Sequence, residues 1–160
     1  MDYSARHTTP IGNLLMSSNG EALTGLWFYG QKYFADTLDS IHEEYDGLPV
    51  FHDTHRWLDI YFSGKKPDFT PPLLMRTSEF RKKVWKTLLT IPYGQTTTYG
   101  EIASVIGCRS AQAVGGAIGH NAISLIIPCH RVISTDGNLT GYAGGIERKA
   151  YLLNLEKNLR

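Results

Sequence analysis

Three prolines, Pro67, Pro71 and Pro72, interrupt the chain near its middle. Proline lacks a backbone N–H and fixes φ, so the stretch from Lys65 to Leu74 suits neither a helix interior nor a central strand. It reads as a linker, with a domain boundary that divides the 160 residues into 1–74 and 75–160. That length suffices for one ordinary domain or two small ones with a shared interface. The same cut separates charge. Residues 1–74 hold five Lys or Arg against ten Asp or Glu, net −5, and residues 75–160 hold eleven against five, net +6. A near-neutral total of +1 therefore hides an acidic half joined to a basic one. The basic half suits a polyanionic partner, although scattered surface charge gives the same count. No run of about 18 apolar residues is present to span a membrane, and MDYSARHTTP lacks the apolar core of a signal peptide. With two cysteines, Cys108 and Cys129, and no export signal, reduced thiols in the cytoplasm are expected. No Cys or His pair has zinc-ligand spacing, so no metal is expected.

In the first half, Leu14 to Ser18 and Leu23 to Phe28 flank Asn19-Gly20. Both turn residues tolerate positive φ, which predicts a β-hairpin. Trp57, Leu58, Tyr61 and Phe62 recur at helical spacing, with Gly64 as a stop. This half is expected to be a small α/β domain, a sheet with one or two helices and no obvious chemistry. The second half is expected to be mainly α-helical. Phe80, Val84, Trp85, Leu88 and Leu89 form an apolar stripe after a Thr77/Ser78 cap, ended by Pro92-Tyr93-Gly94. Thr98-Tyr99-Gly100-Glu101 fits a capping box opening a short helix with Ile102, Val105 and Ile106 inward and Gly107 at its close. Ser110 is placed to cap a second short helix through Ala113, Val114 and Ile118. Two short helices joined tightly are the helix-turn-helix arrangement, and Asp136-Gly137 marks a later hairpin turn, the wing. In a final helix, Ala150, Leu153 and Glu156 share one face.

The second short helix is almost bare, with Ala111, Ala113, Gly115, Gly116, Ala117 and Gly119. Glycine costs about 1 kcal/mol relative to alanine in a helix. Close approach is the usual reason, either to a neighbouring helix or to a DNA groove. Chemistry concentrates at Pro128-Cys129-His130-Arg131. A free cysteine has a pKa of about 8.5, so a nucleophilic one needs a nearby base or positive charge. Neighbours on an extended segment face opposite ways. A Cys129–His130 pair therefore needs a turn after Pro128 or a bridging water, with Glu156 able to orient the histidine as third member of a relay. The plainer readings are Cys129 as a buried small hydrophobe, Tyr99 as a packing residue, and Glu156 as a solvated charge beside Lys149 and Lys157. Cys108 is either a passive turn residue or a bystander thiol.

Ile126-Ile127-Pro128-Cys129-His130-Arg131-Val132 resembles the active-site signature of the O6-alkylguanine-DNA alkyltransferases, or methylated-DNA–protein-cysteine methyltransferases. The likeness extends to Thr98 through Ala103, to Ala113-Val114-Gly115-Gly116-Ala117, to Asn121, and to Tyr142 with Gly144-Gly145. Thr9-Pro10-Ile11-Gly12 and Leu23 to Phe28 resemble the N-terminal domain. The resemblance implies an N-terminal α/β domain and a C-terminal winged helix-turn-helix domain acting on double-stranded DNA as a monomer without a cofactor. It implies that a flipped O6-alkylguanine, or O4-alkylthymine, gives up its alkyl group once and irreversibly to Cys129. His130, through a water and backed by Glu156, would take the thiol proton. Tyr99 would support the leaving guanine, and Asn121 would brace the turn carrying Cys129. Ser110, Gln112, Ala113 and Gly115, with Arg109 and Arg131, would face DNA, while Val132, Tyr142, Ala143 and Gly144 line the base pocket. One position departs from the pattern. The family usually has arginine before Ala-Val-Gly, whereas this chain has Gln112, which inserts without positive charge. Arg109 lies on a similar face if the helix extends back that far. Ala122, where proline commonly follows the asparagine, is a minor difference. The rivals are a non-catalytic alkylguanine-binding protein, a winged-helix regulator and a cysteine hydrolase. The presence of Cys129 counts against the first, and the adjacency of Cys129 and His130 against the last.

Overall fold

A computed structural model describes residues 1–139 and 141–157. The N-terminal strands β1 (Asp2–Thr9), β2 (Gly12–Ser18) and β3 (Leu23–Phe28) pair antiparallel in sequence. Asn19 shapes the expected β2–β3 turn, its side chain accepting from the N–H groups of Glu21 and Ala22. Strand β4 (His42–Glu44) adds parallel to β1, giving the order β3-β2-β1-β4. Helix α1 (Pro49–Phe62) begins with proline, whose missing N–H costs nothing there. It buries Phe51, Trp57, Leu58 and Tyr61.

The proline segment ends as part of this layer. Leu23 N donates to Pro72 O at 2.7 Å, and Leu74 N donates to Leu23 O at 2.9 Å. Farther along the same edge of β3, Leu26 N donates to Ala122 O at 2.8 Å and Ser124 N to Leu26 O at 2.9 Å. Thus β3, an otherwise open edge, is covered by the linker and by the segment leading to Cys129.

The second half contains α2 (Glu79–Leu88), α3 (Tyr99–Ile106), α4 (Ala111–Gly119) and α5 (Ile146–Lys157). Two short parallel strands, β5 (Thr97–Thr98) and β6 (Val132–Ile133), hold the site's flank. Ser78, Thr98 and Ser110 cap α2, α3 and α4 as expected, and Gly107 ends α3 with φ 71°. One inward face differs from expectation. In α3, Ile102 and Ala103 are buried while Val105 is 73% exposed, because α2 and α4 pack on the other side. In α5, Lys149, Leu152 and Glu156 are buried, and Ala150 and Leu153 are only half-buried. The turn at Asp136-Gly137 forms, Gly137 N donating to Ser134 O. Among the described residues β6 pairs with β5 rather than with a returning strand. Buried apolar side chains of both halves form one cluster, reaching from Trp27, Phe51 and Tyr61 to Trp85, Val114, Ile127 and Leu152.

Candidate active site

The segment before Cys129 is bent by backbone geometry that its side chains enforce. Leu125 is buried with φ 71°, a conformation unfavourable for a branched side chain. Asn121 holds the bend: its Nδ2 donates to Ile127 O at 2.8 Å, and its Oδ1 accepts from Ile123 N at 3.0 Å. Pro128 (φ −82°, ψ 65°) then makes an inverse γ-turn, with Cys129 N donating to Ile127 O at 2.8 Å. A single 3₁₀ turn follows over Cys129–Arg131. Its side chains splay about 120° apart, so Cys129 and His130 are not on opposite faces of a strand. The turn that adjacency required is present.

His130 is fully buried, and its Nε2 lies 2.5 Å from Glu156 Oε2. Glu156 also accepts from Arg131 Nε at 2.8 Å, from Gly94 N at 3.0 Å and from the Tyr61 hydroxyl at 2.6 Å. Burial alone would raise the Glu156 carboxyl, but the bonds and charges of His130 and Arg131 outweigh it and hold the pKa down at about 2. Burial lowers the pKa of His130, with Glu156 opposing. The imidazole is therefore neutral near pH 7, with its Nε2 proton directed at a carboxylate. Its buried Nδ1 has no hydrogen-bond partner among the described residues and can accept a proton.

Around Cys129 two effects compete. Burial raises the thiol pKa, while a hydrogen bond from Asn121, the charge of Lys149 and the N–H groups of Cys129 and His130 favour the thiolate. Lys149 reaches in from α5 and donates from Nζ to Val132 O at 2.5 Å. Tyr99, at the start of α3, has its hydroxyl pKa raised by burial and then by Cys129, which places the phenol near the sulfur. Gly141 keeps that space open, since a methyl there would come within 2.8 Å of the Tyr99 hydroxyl. Tyr142 is buried, with its ring 6.5 Å from that of His130. Ala143 O accepts from Lys32 N, and Gly144 O from Arg148 Nη1, so this loop is tied to the first half and to α5. Among the described residues no group of three or more His, Cys, Asp or Glu is placed to hold a metal ion.

Helix α4 exposes Ala111, Gln112, Ala113 and Gly116. A methyl added at Gly115, Gly116 or Gly119 would meet nothing within 4 Å among the described residues. Packing against a neighbouring helix therefore does not explain these glycines. They line a cavity of 480 Å³ with Lys32, Tyr33, His120, Tyr142 and Ala143. Two sequence expectations for this side change. Arg131 does not point outward; it is buried and bonded to Glu156 and to Ile91 O, because the 3₁₀ turn aims it inward. Arg109 shares no helical face with Gln112, because Ser110 is extended (φ −95°, ψ 99°) and α4 starts after it.

Two family models match the chain: 6-O-methylguanine DNA methyltransferase, DNA binding domain, over residues 79–158, and the ribonuclease-like domain of the same family over residues 3–75. The chain belongs to the 6-O-methylguanine DNA methyltransferase family. A methylated-DNA–protein-cysteine methyltransferase of Mycobacterium tuberculosis is 45% identical over 152 residues, covering 94% of this chain and 89% of that one. One from Haemophilus influenzae is 40% identical over 157 residues, covering 97% and 86%. The crystal structure of Mycobacterium tuberculosis OGT in complex with DNA matches with a TM-score of 0.89 at 44% identity, over 97% of this chain and 92% of that one.

In this methyltransferase-family site, sequence reasoning missed Lys149, Tyr61 and Arg148. Lys149 had a signal: it lies two helical turns before Glu156, so when one faces inward the other does too. Arg148 joins the Gly144 loop to Ile11 O (2.9 Å) and stacks its guanidinium 4.6 Å from the Phe28 ring. Tyr61 carried only the signal of a helical core position.

Proposed function

We propose that this protein repairs DNA by moving the alkyl group of O6-alkylguanine onto Cys129, once per molecule. The observation that carries this reading is a buried thiol beside a neutral imidazole whose far nitrogen rests on an ionised carboxylate. It stands in a chain whose relatives bear the name methylated-DNA–protein-cysteine methyltransferase. The lesion lies in double-stranded DNA, and the bare face of α4, with Gln112, Ala113, Gly115 and the capping Ser110, approaches the groove. Arg109 in the preceding loop supplies charge there. The flipped base enters between α4 and residues 141–145, against Tyr142, Ala143, Gly144 and the Val132 backbone, at an unstacking cost of a few kcal/mol.

His130 Nδ1 takes the Cys129 proton through a water. Sulfur attacks the alkyl carbon in line; the S–C bond forms as the C–O6 bond breaks, and the electron pair leaves on guanine, which Tyr99 supports with its hydroxyl. Lys149 and Asn121 stabilise the thiolate until it reacts. Displacement at saturated carbon builds no tetrahedral oxyanion, so the site requires no oxyanion hole of the acyl-transfer kind. The thioether product has no easy leaving group, and the molecule is consumed. A single chain carries every group used, so the protein acts as a monomer, in the cytoplasm where Cys129 stays reduced. Among the described residues no helix is long and apolar enough to cross a membrane.

Intact-mass measurement after mixing with a duplex bearing O6-methylguanine tests this. One methyl gained, mapped to Cys129 and capped at one per molecule, is the expected result. Tight lesion binding without mass gain would make the protein a damage sensor instead.

A further inference from the structure

The groups that serve Cys129 are not all in the C-terminal half. Tyr61, on α1 of the N-terminal half, has its hydroxyl 2.6 Å from Glu156 Oε2, the same oxygen that His130 Nε2 meets at 2.5 Å. The phenol oxygen lies 3.4 Å from His130 Nε2 itself. The side chain is fully buried and its ring is fixed: it stacks on Trp57 at 5.2 Å and meets the rings of Tyr93 and His130 edge-on. Burial and the neighbouring carboxylate push the phenol far above its ordinary pKa, so it stays protonated and acts as the donor.

We infer that Tyr61 is a positioning residue of the transfer reaction: by donating to the Glu156 oxygen shared with His130, it sets how strongly His130 takes the Cys129 proton. The inference rests on the function proposed above. A carboxylate oxygen that already accepts from Tyr61 and from Arg131 Nη2 (3.2 Å) has less electron density to offer the imidazole. Without the phenol donor, Oε2 becomes more basic, His130 becomes more basic with it, and the ring fills with a proton at higher pH. A protonated His130 cannot accept another from Cys129. The remaining groups facing His130 are Arg131 in its own turn, Lys149 and Glu156 from α5, Tyr142 from the following loop and Cys129. Tyr93 faces the neighbouring Arg131 and Glu156. Tyr61 brings the N-terminal half into hydrogen-bonding contact with this set, so that half acts on the chemistry rather than serving only as packing.

The test uses the full chain with Tyr61→Phe, which keeps the stacked ring and removes only the hydroxyl. Single-turnover methyl transfer is followed from pH 5 to 9, and the His130 ring is titrated by NMR. The acidic limb of the rate profile, and the His130 titration, should move up by about half a unit to one unit, a three- to tenfold loss of rate on that limb. At high pH the variant should recover the wild-type rate. Leu58→Ala, a buried apolar neighbour on α1, should lower the melting temperature without moving the limb. Placing 3-fluorotyrosine at position 61 alone, a stronger donor on the same frame, should move the limb down. A uniform loss of rate at every pH, with the His130 titration unchanged, overturns the inference while leaving the proposed function standing. Absence of methyl transfer to Cys129 in the wild-type protein overturns the proposed function itself.

Discussion

At Glu156, donors from Tyr61, Gly94, His130 and Arg131 converge on two oxygens. In the unfolded chain the same carboxyl has its ordinary pKa of 4.5, whereas in the folded protein it is held at about 2. On acidification the unfolded state therefore binds the proton first, and stability must fall as pH falls. The contribution is fully present above about pH 4.5 and is lost progressively toward pH 2. Urea titrations across that window should show this slope in the wild type and a shallower one in Glu156→Gln. At pH 7 the variant should be destabilised by about 3–5 kcal/mol, because the buried Arg131 loses its counter-charge. An unchanged slope would mean that Glu156 is solvated. At this scale the sequence revealed which residues come together better than it revealed where they point. Cys129, His130, Glu156 and Asn121 lie together, whereas Arg131 turns inward. An arginine beside a cysteine has the same sequence signature whether a 3₁₀ turn aims it at DNA or at a buried carboxylate.

Helix α4 shows how an element's composition can answer to something outside the protein. Its glycines weaken the helix, and nothing among the described residues occupies the space they leave. Gly116→Ala should therefore stabilise the free protein by about 0.5–1 kcal/mol, read as a higher melting temperature. The same change should slow transfer from a lesion in duplex DNA. Higher stability with undiminished duplex activity would remove α4 from the DNA interface. Gln112→Arg restores a positive charge on the exposed face and should accelerate transfer from duplex DNA more than from a single strand, where no partner base must be replaced. Equal effects on both substrates would show that Gln112 does not act in flipping. Elements with strong periodicity or caps were legible: the β2–β3 hairpin, α1, α2 and the starts of α3 and α4. Strand β4, with three exposed polar residues, and the two-residue strands β5 and β6 carry no period and were not. The inward face of α3 was misjudged for a related reason. On short helices the apolar stripe is too brief to fix its rotation, and partners such as α2 and α4 decide it.

Across the whole molecule, the proline segment divides the sequence but not the packing. Arg76, just past it, grips Asp2 on β1 with two bonds of 2.7 and 2.8 Å, and Asp2 also accepts from Asp39 N. Strand β3 bonds both the segment's end and the Ala122–Ser124 stretch, Arg148 holds the β1–β2 turn, and Tyr61 crosses to Glu156. With one apolar cluster running through both halves, neither can lose its structure while the other keeps its core. The chain should accordingly unfold as one unit, which small proteins with a single core usually do. Three tryptophans report on it: Trp27 and Trp57 in the first half and Trp85 in the second, all buried. Variants retaining one tryptophan, the others replaced by phenylalanine, should give the same urea midpoint and slope after correction for each variant's stability measured by circular dichroism. The reactivity of Cys129 toward a small alkylating reagent should rise in that same transition, as the thiol leaves its buried site. A Trp85 transition separate from those of Trp27 and Trp57 would show two independent domains. The contribution of Tyr61 to the relay would then depend on a docking equilibrium instead of on the fold itself.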